Sequence, residues 1–293
     1  MRSFVMAMLL AAAAAAQEQD FSKVEVKATR IAGNVFILKG AGGNIAATVG
    51  EDGVAIVDDQ FAPLAPKIHA ALAQLSPKPV RFVINTHWHG DHTGGNALFS
   101  DTAAILAQTN VRKRLIAGTK MVGREFPPAP PAALPVVTFE QGLSLWWNGE
   151  EIRAIHVVPG HTDGDTVVWF TKSNVVHFGD DFVTYGFPFI DVQSGGSVVG
   201  LVAALDSILP QIPKDAKIIP GHGEVSTVDD LRKFRSALED MVGAVRKGLA
   251  AGKSVEQLKK DHVLAAWEPT WGGQGKFVSA DDFIGTIARD LVK

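Results

Sequence analysis

Residues 87–92 read His-Trp-His-Gly-Asp-His, which places four potential metal ligands within six positions. Neutral imidazole nitrogens and carboxylate oxygens are good ligands for Zn²⁺ and similar divalent ions. His87 and His89 are two positions apart, so from an extended or turning backbone both side chains can lean toward one point. Asp91 and His92 are adjacent and must diverge, so they serve a second point. The stretch therefore predicts two neighbouring metal positions, with a histidine-rich surface turn that binds nothing as the alternative.

The residues on either side of this stretch predict a strand that leads into a tight loop. Residues 80–86 read Val-Arg-Phe-Val-Ile-Asn-Thr, and this enrichment in β-branched and aromatic side chains is typical of a buried strand. Gly90, Gly94 and Gly95 supply the backbone freedom that a tight ligand loop requires. The ligand chemistry and the strand–loop context therefore agree.

Four further polar residues lie at the ends of strand-like runs or in the glycine-containing loops that follow them. They are Asp58 after Val54–Val57, His161 within Pro159–Asp165, Asp180 after Val175–Gly179, and His222 within Ile218–Gly223. This placement is expected for loops that gather at one edge of a sheet.

In this order the motifs resemble those of the metallo-β-lactamase-fold hydrolases, a superfamily that contains β-lactamases, glyoxalase II, lactonases, ribonucleases and sulfur dioxygenases. Its motifs are an Asp at a strand end, H-x-H-x-D-H, a lone His, an Asp or Cys, and a final His. The match spans residues from about 24 to 223. The resemblance implies an α/β (α+β) fold, the four-layered αββα sandwich, and two strand-rich halves with helices in each agree with it.

The resemblance also assigns the ligands. It implies a first metal bound by His87, His89 and His161, a second bound by Asp91, His92 and His222, and Asp180 as the bridge between them. Two Zn²⁺ per chain are expected, with Fe or Mn as alternatives. Two neighbouring cations need anionic ligands between them, and the water that they share would be a metal-bound hydroxide, a nucleophile near neutral pH.

Two aspartates near these ligands carry alternative roles. Asp91 would steer or accept a proton during turnover as well as bind metal. Asp181 competes with Asp180 for the bridging position, but the family's ligand directly follows the position of Gly179, which favours Asp180.

Four other residues are candidates for supporting roles. Asp58 orients a ligand histidine through its other ring nitrogen, or else caps a turn at a strand end. His177 supports the ligands from behind or is simply a structural histidine. Trp88 and Tyr185 either line the substrate pocket, where the Tyr185 hydroxyl would meet a substrate oxyanion, or pack in the interior.

The composition limits the class of protein. Residues 1–16, a positive end followed by an apolar core and small residues, predict a cleavable signal peptide and a periplasmic or secreted protein. Residues 17–293 are then expected to form a single domain with C-terminal helices, without a membrane span. The chain has no Cys, which excludes disulfides and a Cys metal ligand. The formal charge of −3 gives no reason to expect nucleic acid as a partner.

Hydrophobic periodicity outlines the remaining elements. The predicted strands are 34–39, 45–49, 54–57, 102–107, 136–140, 143–147, 152–157, 166–170, 174–178 and 216–219, the last six assigned to the second half of the chain. The predicted helices are 63–75, 110–117, 197–209, 229–250, 254–265 and 280–291. Residues 126–135 contain five prolines and predict an ordered flap, which either overhangs the site or is a plain surface connection.

The function that these expectations favour is hydrolysis of a small molecule with a strained or activated acyl bond. The candidates are a β-lactam, a lactone and a thioester. Phe182, Phe187 and Phe189 predict an apolar cleft for uncharged or amphipathic acyl groups. The alternatives are a mononuclear iron enzyme of the sulfur dioxygenase type and a metal-binding accessory protein without turnover. The oligomeric state is left open.

Overall fold

The computed structural model describes residues 20–121, 124–272 and 277–292, so the predicted signal peptide, residues 1–16, lies outside the described residues. The strands are Lys27–Ala32 (β1), Val35–Lys39 (β2), Ile45–Gly50 (β3), Gly53–Val57 (β4), Val80–Ile84 (β5), Ala104–Gln108 (β6), Thr119–Met121 (β7), Arg124–Phe126 (β8), Val137–Phe139 (β9), Gly142–Trp147 (β10), Glu150–His156 (β11), Thr166–Phe170 (β12), Val175–His177 (β13), Lys217–Ile219 (β14) and Ser226–Thr227 (β15).

The helices alternate with these strands and close the chain. They are Ala65–Ala73 (α1), Gly90–Thr93 (α2), Asn96–Phe99 (α3), Thr109–Ala117 (α4), Val198–Ile208 (α5), Val228–Ala250 (α6), Val255–Lys260 (α7), Glu268–Trp271 (α8) and Ala280–Leu291 (α9). Among the described residues, no helix has both the length and the apolar character needed to cross a bilayer.

Two mixed sheets form the centre of the molecule. The first has the order β1-β2-β3-β4-β5-β6-β9 and the second the order β10-β11-β12-β13-β14-β15. In each sheet antiparallel hairpins come first and a parallel pair follows, β4 with β5 in the first and β13 with β14 in the second. The carboxyl ends of a parallel pair lie at the same edge, and the predicted ligands follow these ends.

Three buried cores separate four layers, which confirms the predicted αββα sandwich. Val54 and Ile56 of β4 face the core beneath α1, whereas Val57 faces the core between the sheets. On β12, Val167 faces the core beneath α5 and α6, and Val168 faces the other sheet. This alternation follows from the two-residue period of a strand, and it explains why strands apolar on both faces lie in the middle of the fold.

The strand at Val137–Phe139 corrects one expectation. The prediction placed residues 136–140 in the second half of the chain, beside the strand at 143–147. Instead β9 pairs in parallel with β6 and closes the edge of the first sheet, with Leu106 opposite Val137. The chain then crosses to the second sheet within a few residues. Closeness in sequence therefore does not show which sheet a strand joins.

The segment predicted as a flap is ordered. It begins at the end of the short β7–β8 hairpin, which the sequence did not predict, and it contains a turn of 3-10 helix at Pro131–Ala133. A hydrogen bond of 2.8 Å from the Ala129 amide to the Leu115 carbonyl holds the segment against α4. Asn96 Nδ2 donates to the Ala133 carbonyl at 2.9 Å and fixes its far end next to α3.

Candidate metal centre

Three buried histidines, His87, His89 and His161, form what we call the inner set. One imidazole nitrogen of each lies within 4.8 Å of the others. The first two follow the carboxyl end of β5, and His161 lies in the loop between β11 and β12. Their exposed fractions are 1%, 4% and 1%, so the ring nitrogens are shielded from water.

The hydrogen bonds of this set direct unprotonated nitrogens toward one point. His161 Nδ1 lies 2.7 Å from the Phe189 carbonyl oxygen, which can only accept, so the lone pair is on Nε2. His89 Nε2 lies 3.1 Å from Asp191 Oδ2, so in the neutral ring the lone pair is on Nδ1. These two lone-pair nitrogens face each other at 2.9 Å. A cation bound by both would remove their mutual repulsion.

The third member of the inner set offers a free ligand atom. His87 Nε2 is buried and has no hydrogen-bond partner among the described residues. His87 Nδ1 lies 3.0 Å from Thr86 Oγ1. A buried polar atom without a partner costs free energy unless something binds it, and a metal ion would satisfy this nitrogen.

A second group, which we call the outer set, consists of Asp91, His92 and His222. Their ligand atoms also lie within 4.8 Å of one another. His92 Nε2 and His222 Nε2 are 3.3 Å apart, and Asp91 Oδ2 is 3.2 Å from His222 Nε2. The side chains of Asp91 and His222 are 27% and 24% exposed, whereas His92 is fully buried. The outer set is therefore the part of the centre that solvent reaches.

Asp180 lies between the two sets. Its Oδ1 is 3.2 Å from His92 Nε2 and 3.5 Å from His222 Nε2, while its Oδ2 is 3.7 Å from His161 Nε2. Gly179 before it has a φ of 52°, and a Cβ there would approach Thr86 to 2.8 Å, so only glycine suits this turn. The carboxylate is thus held where one oxygen faces each set.

The neighbouring Asp181 takes a different role. Its Oδ1 accepts a hydrogen bond of 3.1 Å from the His161 amide. Burial and the neighbouring Asp165 carboxyl raise the pKa of Asp181 well above its ordinary value. Among the described residues it therefore supports the His161 loop, and Asp180 is the aspartate that faces the ligand sets.

The histidine pKa values are shifted in opposite directions in the two sets, downward for His87 and His89 and upward for His92 and His222. Burial and the neighbouring imidazoles hold the pKa of His87 well below its ordinary value, and burial also lowers the pKa of His89. For His92, burial opposes the charged form, but the carboxylates of Asp180, Asp91 and Asp58 outweigh it and raise the pKa well above its ordinary value. The imidazoles of His87 and His89 are therefore neutral at pH 7, whereas the outer set attracts positive charge.

The carboxylates of the centre are ionised for the same reason. Burial alone would raise the pKa of Asp91, yet His92 and His222 lower it to about 2. The pKa of Asp180 is held well below its ordinary value by His222 and His92 in spite of its burial. Two anionic side chains at the boundary of the sets match what a pair of divalent cations requires.

Asp58, the aspartate that follows β4, contacts His92 of the outer set. It is fully buried at the end of β4 and has a left-handed φ of 63°. Its Oδ2 lies 2.8 Å from His92 Nδ1, and it accepts hydrogen bonds from the Thr86 amide and hydroxyl, both at 2.7 Å. The carboxylate thus fixes the tautomer of His92 and leaves Nε2 free toward the centre.

Asp191 contacts a ligand histidine but was not among the candidates that the sequence indicated. It caps a helical turn, accepting from the Ser194 amide at 3.0 Å. Its other carboxylate oxygen contacts His89 Nε2. In addition, the backbone amide of Asp191 donates a hydrogen bond of 2.9 Å to the His161 carbonyl, which ties this segment to the His161 loop. Only a signal linking residues 102 positions apart would have revealed this pairing.

The remaining candidates lie near the centre in different ways. His177 is buried, accepts from the Gly179 amide at 3.0 Å and contacts the Asn44 carbonyl at 2.9 Å, so it supports the turn before Asp180 rather than a ligand ring. The ring of Tyr185 packs edge-on against His222 with centroids 5.8 Å apart. Its hydroxyl oxygen accepts from the Phe189 amide at 3.4 Å.

The aromatic surroundings require one correction. Phe187, predicted to line an apolar cleft, is 1% exposed and packs in the core beneath α5 and α6. Phe182 packs in the same core, and it also borders an apolar cavity of about 300 Å³ next to Trp271. Phe189 does lie at the centre, with its ring about equally distant from His89 and His161, at 6.1 and 6.0 Å. Trp88 is buried and packs edge-on against His89 with centroids 4.7 Å apart.

The donor set fits divalent metal ions. Imidazole lone pairs converge, and a buried ligand nitrogen has no protein partner in the described part of the chain. Two carboxylates are ionised, Asp91 in the outer set and Asp180 between the sets. These are nitrogen and oxygen donors of the kind that zinc and related ions bind.

Comparison with known proteins agrees with the geometry. The family described as the metallo-beta-lactamase superfamily matches residues 39–242, and the chain belongs to this superfamily. A hydroxyacylglutathione hydrolase of Polaromonas sp. is 29% identical over 180 residues, which cover 59% of this chain and 58% of that protein. The chain thus spans little more than half the length of this relative.

Two solved structures share the fold. The DIM-1 metallo-beta-lactamase superposes with a TM-score of 0.63 at 18% identity, over 74% of this chain and 99% of that chain. A double mutant of the sec-alkyl sulfatase PisA1 superposes with a TM-score of 0.71 at 12% identity, over 91% of this chain and 50% of that chain. The family match confirms the predicted family, and the two superpositions confirm the predicted fold. At identities this low, the solved structures support the fold alone.

Proposed function

We propose that this protein is a metal-dependent hydrolase that opens a cyclic amide, lactone or thioester bond of a small molecule. The inner set would bind one Zn²⁺ and the outer set a second, with Asp180 between them. The observation that carries the proposal is the convergence of imidazole lone pairs, with His161 Nε2 and His89 Nδ1 facing each other at 2.9 Å. Two bound ions would supply Lewis-acid polarisation of the acyl carbonyl and activation of water near neutral pH.

The protein's own groups would perform the remaining tasks. Asp91 is ionised, partly exposed and 3.2 Å from His222 Nε2, so it would accept a proton from the attacking water and return it to the leaving group. Asp58 and Asp191 would keep the lone pairs of His92 and His89 pointing inward. Tyr185 borders the exposed side of His222 and would meet the substrate there.

Two observations support acyl compounds other than β-lactams as the first substrates to test. The Polaromonas relative bears the name hydroxyacylglutathione hydrolase, a thioesterase activity. After Asp180 the sequence has no Lys or Arg before Lys214, so that stretch offers no cationic partner for a β-lactam carboxylate. A lactone or a simple acyl thioester without a carboxylate requires no such partner.

The test combines metal analysis with a substrate panel. The chain would be stripped by a chelator, reloaded with Zn²⁺, Mn²⁺ or Fe²⁺, and assayed with nitrocefin, lactones, acyl thioesters and phosphoesters. We expect about two zinc ions per chain and turnover of at least one acyl compound that chelation abolishes and zinc restores. One iron per chain with oxygen consumption, or full zinc occupancy without acyl turnover, would overturn the proposal.

We also propose that residues 1–16 are removed on export, that residues 17–293 act as one domain, and that the mature protein is periplasmic or secreted. The positive end and the apolar run of the sequence support this. N-terminal sequencing of protein recovered from the periplasm or medium tests it, and recovery of an intact Met1 from the cytoplasm would contradict it.

A further inference from the structure

An apolar cavity of about 410 Å³ lies directly behind the metal-binding loop. Its walls include Trp88 and Gly90 of that loop, Leu115 of α4, and Phe126 and Pro130 of the ordered flap. The volume falls in the range of about 300 to 1,000 Å³ that is usual for small-molecule sites. Nothing in the metal chemistry described above uses this cavity.

The cavity shares a wall with the metal centre. Trp88 lies between His87 and His89 in the sequence, lines the cavity and packs edge-on against the His89 ring at 4.7 Å. Gly90, which also lines it, immediately precedes Asp91. Gly90 is half-buried, and a Cβ built on it would meet no atom within 4 Å, so the space over this glycine is open between the cavity and the partly exposed outer set, where the reacting carbonyl would lie.

The walls of the cavity are fixed before any ligand binds. The Phe126 ring meets Trp88 edge-on with centroids 6.1 Å apart, and the Ala129 amide bonds to the Leu115 carbonyl at 2.8 Å. A cavity that is held open in this way costs little reorganisation when a ligand enters.

The polar groups at the cavity do not suit a charged ligand. The charged residue lining it, Arg114, is already bound to both oxygens of Asp163, at 2.6 and 2.7 Å. Trp88 Nε1 is buried without a hydrogen-bond partner among the described residues, and an indole can only donate. The lining is otherwise mainly Ala, Leu, Phe and Pro, and such a cavity favours a hydrocarbon over water.

We propose that this cavity binds the apolar acyl group of the substrate, so that the enzyme prefers medium-length acyl chains over short ones. The inference rests on the proposed hydrolase function and specifies its substrate class. The occupant is the acyl chain itself because the cavity adjoins the site of acyl cleavage and because its wall is built from the same loop as the metal ligands.

The first experiment measures kcat/KM of the zinc-loaded protein for p-nitrophenyl esters from acetyl to decanoyl. We expect a rise of about fourfold per added methylene until the chain fills the cavity. Ala97, half-buried in the lining, is replaced in Ala97→Trp to fill the cavity, which should lower the octanoyl-to-acetyl ratio at least tenfold. Leu115→Ala, which enlarges the cavity, should move the optimum to longer chains.

A matched control and a second readout complete the test. Ala73→Trp places the same residue on the exposed side of α1 and should leave the ratio unchanged. Zinc content and the thermal midpoint establish that each variant is folded. The indole N–H resonance of Trp88, assigned with Trp88→Phe, should shift on addition of 1-octanol to wild type, and less in Ala97→Trp.

The outcomes separate the two proposals. If no acyl compound is hydrolysed but 1-octanol shifts the Trp88 resonance, the cavity binds apolar chains and the hydrolase proposal fails. If esters are hydrolysed with a flat chain-length profile that Ala97→Trp and Leu115→Ala leave unchanged, the cavity inference is overturned and the hydrolase proposal stands.

Discussion

The inner and outer sets offer similar side chains but have different surroundings. Every residue of the inner set is at most 4% exposed, and each ring has its second nitrogen held by Thr86, Asp191 or the Phe189 carbonyl. In the outer set, Asp91 and His222 are about one quarter exposed, and no hydrogen bond from His222 Nδ1 is found within the described ranges.

This difference in burial explains how one centre can bind metal tightly and still be accessible to a substrate. Rings fixed from behind lose little entropy when they bind an ion, so the inner set should bind more tightly. Partly exposed ligands leave room for water and an acyl carbonyl, so the outer set should bind more weakly and take part in turnover. This contrast predicts an order of effects among variants.

The largest effect is expected for His161→Ala, which removes one inner ligand. Activity should fall on the order of a thousandfold or more, the factor that a loss of about 4 kcal/mol of transition-state stabilisation produces. The thermal midpoint in zinc should fall as well, because a bound ion stabilises only the folded form. Metal content and calorimetry measure both. The exposed His69→Ala is the control, and full occupancy in His161→Ala would show that the ligand assignment is wrong.

Asp91→Asn should separate the two sets. The change removes the partly exposed carboxylate whose pKa of about 2 keeps it ionised, so hydrolysis should fall by on the order of a hundredfold or more while the inner metal stays bound. Steady-state kinetics and zinc counting on the same preparation test this. Unchanged activity would remove Asp91 from the mechanism, and simultaneous loss of both metals would contradict the independence of the inner set.

Asp191→Asn tests whether the hydrogen bond behind His89 strengthens the inner set. The amide oxygen can still accept from the Ser194 amide and preserve the cap, but it lacks the charge that polarises His89. We expect the inner metal to bind about tenfold more weakly, with outer-set affinity unchanged. Competition with a chromophoric chelator gives both constants. Asp215→Asn, at an exposed carboxylate, is the control, and equal weakening of both sets would refute the assignment.

The smallest perturbation is pH, and it should release the two metals in order. Protons compete with metal for ring nitrogens, and the pKa values of His92 and His222 are raised while those of His87 and His89 are lowered. As the pH falls, the outer set therefore gains protons first and loses its metal at the higher pH. Asp191, with a pKa of about 2, stays ionised throughout.

Zinc release followed with a dye between pH 8 and 4 measures this order. Two separate steps, the first accompanied by loss of activity, are expected. A single step that releases both ions together would remove the distinction between the sets. Asp91→Asn should move the first step to higher pH and leave the second where it is.

Much of the fold was predictable because strands that are apolar on both faces, such as β4 and β12, indicate burial between two layers. Short elements were less predictable. The β7–β8 hairpin was missed and β9 was assigned to the wrong half, because three residues carry too little periodicity to choose a partner. The pairing of β9 with β6 depends on which edge the folded sheet leaves open.

The candidate site shows the same division. His87, His89, Asp91 and His92 lie in one loop, so their chemistry was visible locally, and the structure brings His161 and His222 to them. The contact between Asp191 and His89 joins residues that are 102 positions apart and was not visible. Phe187 was placed at a cleft because an aromatic side chain has the same pattern whether it lines a pocket or a core.

The ligand chemistry, the strand ends that carry it and the four-layer class of the fold follow from the amino-acid sequence alone, because they depend on side-chain identity and on the two-residue period of a strand. Which imidazole nitrogen faces inward, which ligands water can reach and where the apolar cavity lies become visible in the folded molecule. Those properties arise from distances between segments that are remote along the chain, and no local pattern encodes them.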